Sequence, residues 1–299
     1  MQINTNPAPL QQQLQEDLQA EQKRIRKRIL FRVISYGLLI GWVIITMIPL
    51  YWMFISSFRD TAISASFRPE WFPSNMSIST YIRFLTTTDA IRWLLNSLYV
   101  STILTISNVI FASLAGYAFA KLKFPGRNTI FWVLLATMMI PAQVTLIPVY
   151  IMVVNVFNLG NTYTAIMLPM IVSVGNIFLM KQYMSTLPST LIDAARIDGC
   201  SELRVFRKVI LPISKPGLAV LAIFTFVATW NEFFWPFLVT QSSSMRTIQV
   251  GLASFKFQDA TDYGALMAGS VLAALPMFIL FFALQRYFLQ GITIGAVKG

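Results

Sequence analysis

Six apolar runs, at residues 33–54, 97–120, 129–150, 163–181, 217–239 and 266–285, dictate what this chain can fold into. Each approaches or exceeds the ~20 residues that an α-helix needs to cross ~30 Å of hydrocarbon. A water-soluble domain built from six such runs would have no polar face to present. In a bilayer the backbone must satisfy its own hydrogen bonds, so the runs are read as helices. Composition agrees: 56% of residues are hydrophobic and 12% charged, about half the usual charged fraction. The expected fold class is all-α integral membrane. Six transmembrane helices occupy residues 33–288, between an N-terminal tail (1–32) and a C-terminal tail (289–299).

The net charge of +11 is unevenly placed. Lys23, Arg24, Arg26, Lys27, Arg28 and Arg32 precede the first run, and Lys121, Lys123 and Arg127 follow the second. Lys181, Arg196, Arg204, Arg207, Lys208 and Lys215 lie between the fourth and fifth, and Arg286 and Lys298 follow the sixth. These positions share one side of a six-span chain. The positive-inside bias makes that side, and both termini, cytoplasmic. Short basic stretches bordering spans suit anionic lipid headgroups, not nucleic acid. There is no histidine, and the single cysteine, Cys200, lies in a polar loop. That removes the commonest general base and metal ligand, any internal disulfide and any Cys-rich metal site. The chain is read as no enzyme, with no metal and no cofactor of its own.

Pro49, Pro141, Pro148, Pro169, Pro236 and Pro276 put a proline in five of the six runs; the second carries Gly116 instead. Bent helices are tolerated in hydrocarbon where neighbours or a water-lined cavity satisfy the freed backbone. The fourth run, with Pro169, Gly175 and Asn176, is both short and interrupted, a pattern that points to a solute pathway. In the fifth, Trp230, Asn231 and Glu232 stand just before Trp235 and Pro236. At ~1.5 Å per residue from Gly217, Glu232 lies roughly 22 Å across the bilayer. A carboxylate there must face protein or water. Either Glu232 and Asn231 face a cavity, or Glu232 braces a neighbouring helix near the outer interface. The pathway candidates are Asn176, Trp230, Asn231 and Glu232. Residues 1–22 read as a mobile or loosely helical tail. The outer segment 55–96 carries Trp71 and Trp93, expected in part at headgroup level.

The polar island 182–216 is more specific. Pro188 can start a helix, Leu191 to Ile197 continues it, and Gly199 suits a left-handed terminating turn. Ser201 can cap a second helix from Glu202 to about Val209, and Pro212 limits its extension. Ala194 and Ala195 permit close approach, with Asp193, Arg196 and Asp198 at their margins. A helix lying on the bilayer carries bulky apolar anchors opposite a basic face; Ala-Ala with mixed charge fits a protein socket better.

The spacing Asp193-Ala194-Ala195, then Gly199, then, after nine intervening residues, Val209-Ile210-Leu211-Pro212 resembles the loop by which ABC importer permeases dock onto their ATPase subunits. The family's Glu is Asp193 here. Gly116-Tyr117-Ala118-Phe119-Ala120, Phe124-Pro125-Gly126-Arg127, the stretch Met139-Ile140-Pro141 to Pro148, Trp230-Asn231-Glu232-Phe233 and Gly291 through Gly299 extend the resemblance over about residues 30–299. They are similar to carbohydrate permeases of the maltose and multiple-sugar type. The resemblance implies the type I importer permease fold in a bacterial or archaeal plasma (inner) membrane. It also implies a second permease subunit, an ATPase dimer and an extracytoplasmic sugar-binding protein. Asp193, Ala194, Ala195, Arg196, Asp198, Gly199, Leu211 and Pro212 would then dock the ATPase, and the C-terminal tail would reach the same interface. No Gly-x-x-x-x-Gly-Lys-Ser/Thr loop is present, so ATP and Mg are expected in the partner. A non-sugar solute is the alternative within this class. A secondary transporter is disfavoured, because only Glu232 places an ionisable group within the bilayer.

Overall fold

The computed structural model describes residues 8–59, 71–72, 76–258 and 262–296, which are helical without a strand. Residues up to Ile55 and from Ser56 onward form two separate compact units. The first is one helix, α1 (Ala8–Ser56), 49 residues long. At 1.5 Å per residue that is ~74 Å, more than twice the hydrocarbon thickness. Residues 8–22, in the segment read as a mobile or loosely helical tail, are helical and continuous with the first span. Pro9 falls in the opening turn, where its missing N–H is no loss. Residues 10–32 are mostly Leu, Gln, Glu, Lys and Arg with no Gly or Pro, all strong helix formers. Residues 1–7 lie outside the described residues.

The second unit runs through α2 (Ser79–Thr87), α3 (Ala90–Lys121), α4 (Arg127–Thr137), α5 (Ala142–Tyr150, extended by a wide π turn, Ile151–Val156), α6 (Tyr163–Met167) and α7 (Val174–Ser185). It continues with α8 (Ser189–Ile197), α9 (Glu202–Val205), a π turn (Phe206–Ile210) and α10 (Leu211–Ile213). The last elements are α11 (Lys215–Trp230), α12 (Phe234–Val239), α13 (Ile248–Gln258) and α14 (Tyr263–Ala296). Among the described residues three helical stretches, Lys23–Ser56, Ala90–Lys121 and Tyr263–Gln285, are long and apolar enough to cross a membrane. Three bent pairs reach the same measure, giving up to six crossings by length and composition.

Proline places the breaks. Pro141 has no N–H for the carbonyl of Thr137 and pushes Ile140 out of helical backbone. The pair 127–137 and 142–156 accordingly bends by 89°. Met138, Met139 and Ile140 close the α4 end with tight bonds to the carbonyls of Leu135, Ala136 and Thr137. The fourth span bends by 44° between Met170 and Val174. In the fifth run the helix ends at Trp230 and resumes at Phe234. Pro236 cannot bond the carbonyl of Glu232 and would clash with it, so the break precedes the proline instead of sitting at it.

The central element is α3, which packs along α7 and α11. Two glycines set how closely α3 and α11 approach α7. A Cβ at Gly116 would stand 2.7 Å from Met180 Cβ, and one at Gly217 2.7 Å from the Tyr183 ring. Trp93, expected in part at the headgroups, is instead buried against Phe84 and Ile248 and donates its indole N–H to the Ser243 carbonyl at 2.8 Å. Residues 289–296 of the C-terminal tail continue α14 as helix. Extending a helix that is already formed is easy, and Gly291 and Gly295 weaken it by only about 1 kcal/mol each. Residues 297–299 lie outside the described residues.

Candidate functional site

The polar island folds into a helical hairpin. α8 begins at Ser189 with Pro188 in the capping position, and it ends in a left-handed turn at Gly199, φ +75°. Gly199 N–H donates to the Arg196 carbonyl and Cys200 N–H to the Ala195 carbonyl, both at 3.0 Å. This paired closure satisfies carbonyls that a helix end leaves open. The second helix starts at Glu202 and runs through the π turn to Ile213. The wide turn lets the chain pass Pro212 and stop one residue after it.

The spacing of α8 sorts its residues into two faces. Ile192 and Ala195, three apart, are buried with Tyr117, Met184, Val205 and Ile210. Asp193, Ala194, Arg196, Ile197 and Asp198 are exposed. The paired alanines thus part company: Ala194 remains available to a partner, whereas Ala195 belongs to the chain's own core. Leu211 is half-buried and Pro212 exposed on the following turn. Sequence reasoning passed over Ile197, which is 86% exposed, and Leu203, at 60%. Two bulky apolar side chains flanking the Gly199 turn are a signal that helical spacing alone could have given.

Charged groups fasten the hairpin to itself and to α3. Arg196 Nε donates to Glu202 Oε1 at 2.8 Å, and Arg196 also meets Asp193 Oδ1 at 3.4 Å. Tyr117, near the end of α3, donates its hydroxyl to Glu202 Oε2 at 2.7 Å. Arg196 first and Tyr117 second hold the Glu202 carboxyl below its ordinary value. Lys121, at the last turn of α3, donates to the Leu187 carbonyl at 2.6 Å. Glu202 therefore ties both hairpin helices to the central helix of the bundle.

A cavity of about 570 Å³ opens where the fourth and fifth spans break. Its lining combines apolar Pro169, Met170, Val172 and Phe224 with polar Asn176, Thr225, Thr229 and Glu232. Asn108 and Ser107, on α3, hold the broken backbone in place. Asn108 Nδ2 donates to the Met170 carbonyl at 3.0 Å, and Asn108 Oδ1 accepts from Ser173 N–H at 2.9 Å. Ser107 donates to the Ile171 carbonyl at 2.9 Å. Asn176 Nδ2 completes the link, donating to Asn108 Oδ1 and Thr225 Oγ1.

Glu232 lines this cavity and also braces a helix. Its Oε1 accepts from the N–H groups of Phe234 and Trp235 at 3.1 and 3.2 Å, capping α12. One carboxylate oxygen thus caps α12, the continuation of the residue's own span, rather than a neighbouring helix. Of the four pathway candidates, Asn176 and Glu232 share the cavity and the other two do not. Trp230 is 2% exposed and donates its indole N–H to the Ala273 carbonyl. Asn231 turns back to the Val227 carbonyl at 2.8 Å.

Residues 108–294 match the family described as binding-protein-dependent transport system inner membrane component, and the chain belongs to it. It is 37% identical to the arabinooligosaccharides transport system permease protein AraQ of Halalkalibacterium halodurans, over 89% of this chain and 98% of that one. It is 35% identical to the sn-glycerol-3-phosphate transport system permease protein UgpE of Yersinia pestis, over 67% of this chain and 72% of that one. Its fold is similar to a chain of a bacterial ABC transporter involved in the import of the acidic polysaccharide alginate. That similarity has a TM-score of 0.77 at 23% identity, covering 87% of this chain and 96% of the other.

Proposed function

We propose that this chain is one permease subunit of an ATP-driven, binding-protein-dependent sugar importer in a bacterial or archaeal plasma membrane, crossing six times with both termini cytoplasmic. It forms half of the translocation pathway. A second permease subunit supplies the other half, an extracytoplasmic binding protein delivers the sugar, and an ATPase dimer, which holds ATP and Mg, docks on the 187–212 hairpin. Membership of the family and the arabinooligosaccharide relative support the sugar reading.

One observation carries the mechanism. The hairpin is not a free loop: Glu202 joins α8 and α9 to Tyr117 on α3, and α3 reaches the cavity through Asn108. A push on the hairpin is transmitted along one helix to the break in the fourth span. Two side-chain bonds and a helix make a physical link between an ATPase and a solute site. The reading is tested by reconstituting the assembled importer in vesicles with ATP inside. Sugar uptake should require both the ATPase and the binding protein. Uptake driven by an ion gradient without ATPase would overturn it.

A further inference from the structure

The cavity wall is sorted by hydrogen-bonding role as well as by polarity. Thr225 and Thr229 spend their hydroxyl protons on the carbonyls of Leu221 and Thr225. Asn108 Nδ2 donates to the carbonyls of Leu104 and Met170. Asn176 Nδ2 donates to Asn108 and Thr225. An amide nitrogen has two protons and a hydroxyl one, so these donors are used up inside the protein. The positive end of α12 is covered by Glu232 Oε1, and the first-turn residues of α7, Val174 and Gly175, lie off the wall. The lining residues keep acceptor capacity in Glu232 Oε2, Asn176 Oδ1 and the threonine oxygens, beside the backbone N–H of Val172. Among the described residues, Ser173 remains the wall's one side-chain donor, and no Lys or Arg lines it.

We infer that this half of the pathway selects neutral polyhydroxylated solutes and rejects anionic ones. The inference rests on reading the cavity as part of the pathway. A sugar hydroxyl donates a proton to each acceptor on the wall. An ionised uronate carboxylate or a phosphate dianion only accepts, so it finds few donors and a like charge in Glu232. An ammonium group also donates. It also meets an opposite charge in Glu232, so anions alone are rejected, and the apolar lining of Pro169, Met170, Val172 and Phe224 suits the C–H faces of a sugar ring. Family relatives include transporters named for a neutral oligosaccharide and for a phosphate ester, so family membership alone does not decide between these chemistries.

The test is equilibrium binding to the assembled permease–ATPase complex in lipid nanodiscs without binding protein. Three matched probes are a neutral pentose trisaccharide, its uronate analogue and its amino-sugar analogue. The neutral probe should bind tighter than the uronate by roughly tenfold to a hundredfold, as expected for like charges a few ångströms apart at intermediate dielectric. Glu232→Gln should narrow the neutral-to-uronate gap several-fold. Thr229→Ala should weaken the neutral probe and leave the gap unchanged, separating charge from contact. The inference is overturned if the uronate binds as well as the neutral sugar, if the ammonium probe is rejected as strongly as the uronate, if the gap ignores Glu232, or if no probe binds. A complex that assembles and transports yet fails these comparisons loses only this inference. One that fails to retain its ATPase loses the importer reading itself.

Discussion

Asn108 Oδ1 accepts the N–H of Ser173 at 2.9 Å while Asn108 Nδ2 donates to the Met170 carbonyl at 3.0 Å. One amide on α3 thus satisfies both ends of the break in the fourth span. In an apolar surrounding, a backbone group left without a partner costs about 1–3 kcal/mol. Asn108→Ala should therefore lower stability by about that amount for each orphaned group. Thermal unfolding in detergent should show it as a clear drop in midpoint. Ser113→Ala removes only a local bond to the Ile110 carbonyl and should shift the midpoint far less.

Gly199 has φ +75°, and a Cβ added to it would meet nothing within 4 Å, so only backbone conformation restricts this position. A β-branched residue there should destabilise the turn by about 1–2 kcal/mol. Gly199→Val is expected to insert normally, hold its ATPase less tightly and take up less sugar, whereas Gly199→Asn should be milder. Normal assembly and uptake by the valine variant would remove the turn from the docking surface.

Ile197 is exposed on the outer face of α8, so an aspartate there should leave the permease as stable as before. Burying an unpaired charge in a partner costs several kcal/mol. Ile197→Asp should therefore abolish retention of the ATPase through purification. Unchanged retention would show that the ATPase contacts another face.

The Glu202 carboxyl is held below its ordinary value of 4.5 by Arg196 first and Tyr117 second. A group with a lowered folded value stabilises above its unfolded value and loses that contribution as pH falls through the folded one. The hairpin should be indifferent to pH between 7 and about 5 and loosen below about 4.3. Protection of residues 189–213 from proteolysis reads this directly. Glu202→Gln should weaken protection at neutral pH and flatten the acid limb.

Much of this was legible in sequence because the relevant forces are local. Hydrocarbon thickness fixes the length of apolar runs, proline locates Pro141 and Pro236 near breaks, and left-handed backbone requires a glycine at 199. The faces of α8 followed from helical spacing, yet the two alanines invited reading as a pair although only Ala194 is outward. Asn108, Ser107, Tyr117 and Glu202 carried no local signal as partners. Asn108 meets Ser173 across 65 residues and Tyr117 meets Glu202 across 85, and no periodicity reports pairings at that range. Trp230 misled for the same reason: beside a membrane carboxylate it resembles a cavity wall, and only the fold turns it toward Ala273.

Cys200 is the chain's single cysteine and follows the Gly199 turn directly, so it reports on docking without any substitution. The decisive measurement is its rate of maleimide labelling in native vesicles, with and without the cognate ATPase subunit. Docking on the 187–212 hairpin predicts that bound ATPase slows labelling markedly, and that Ile197→Asp restores the free rate. Labelling that is equally fast in an assembled, sugar-transporting complex would contradict the account.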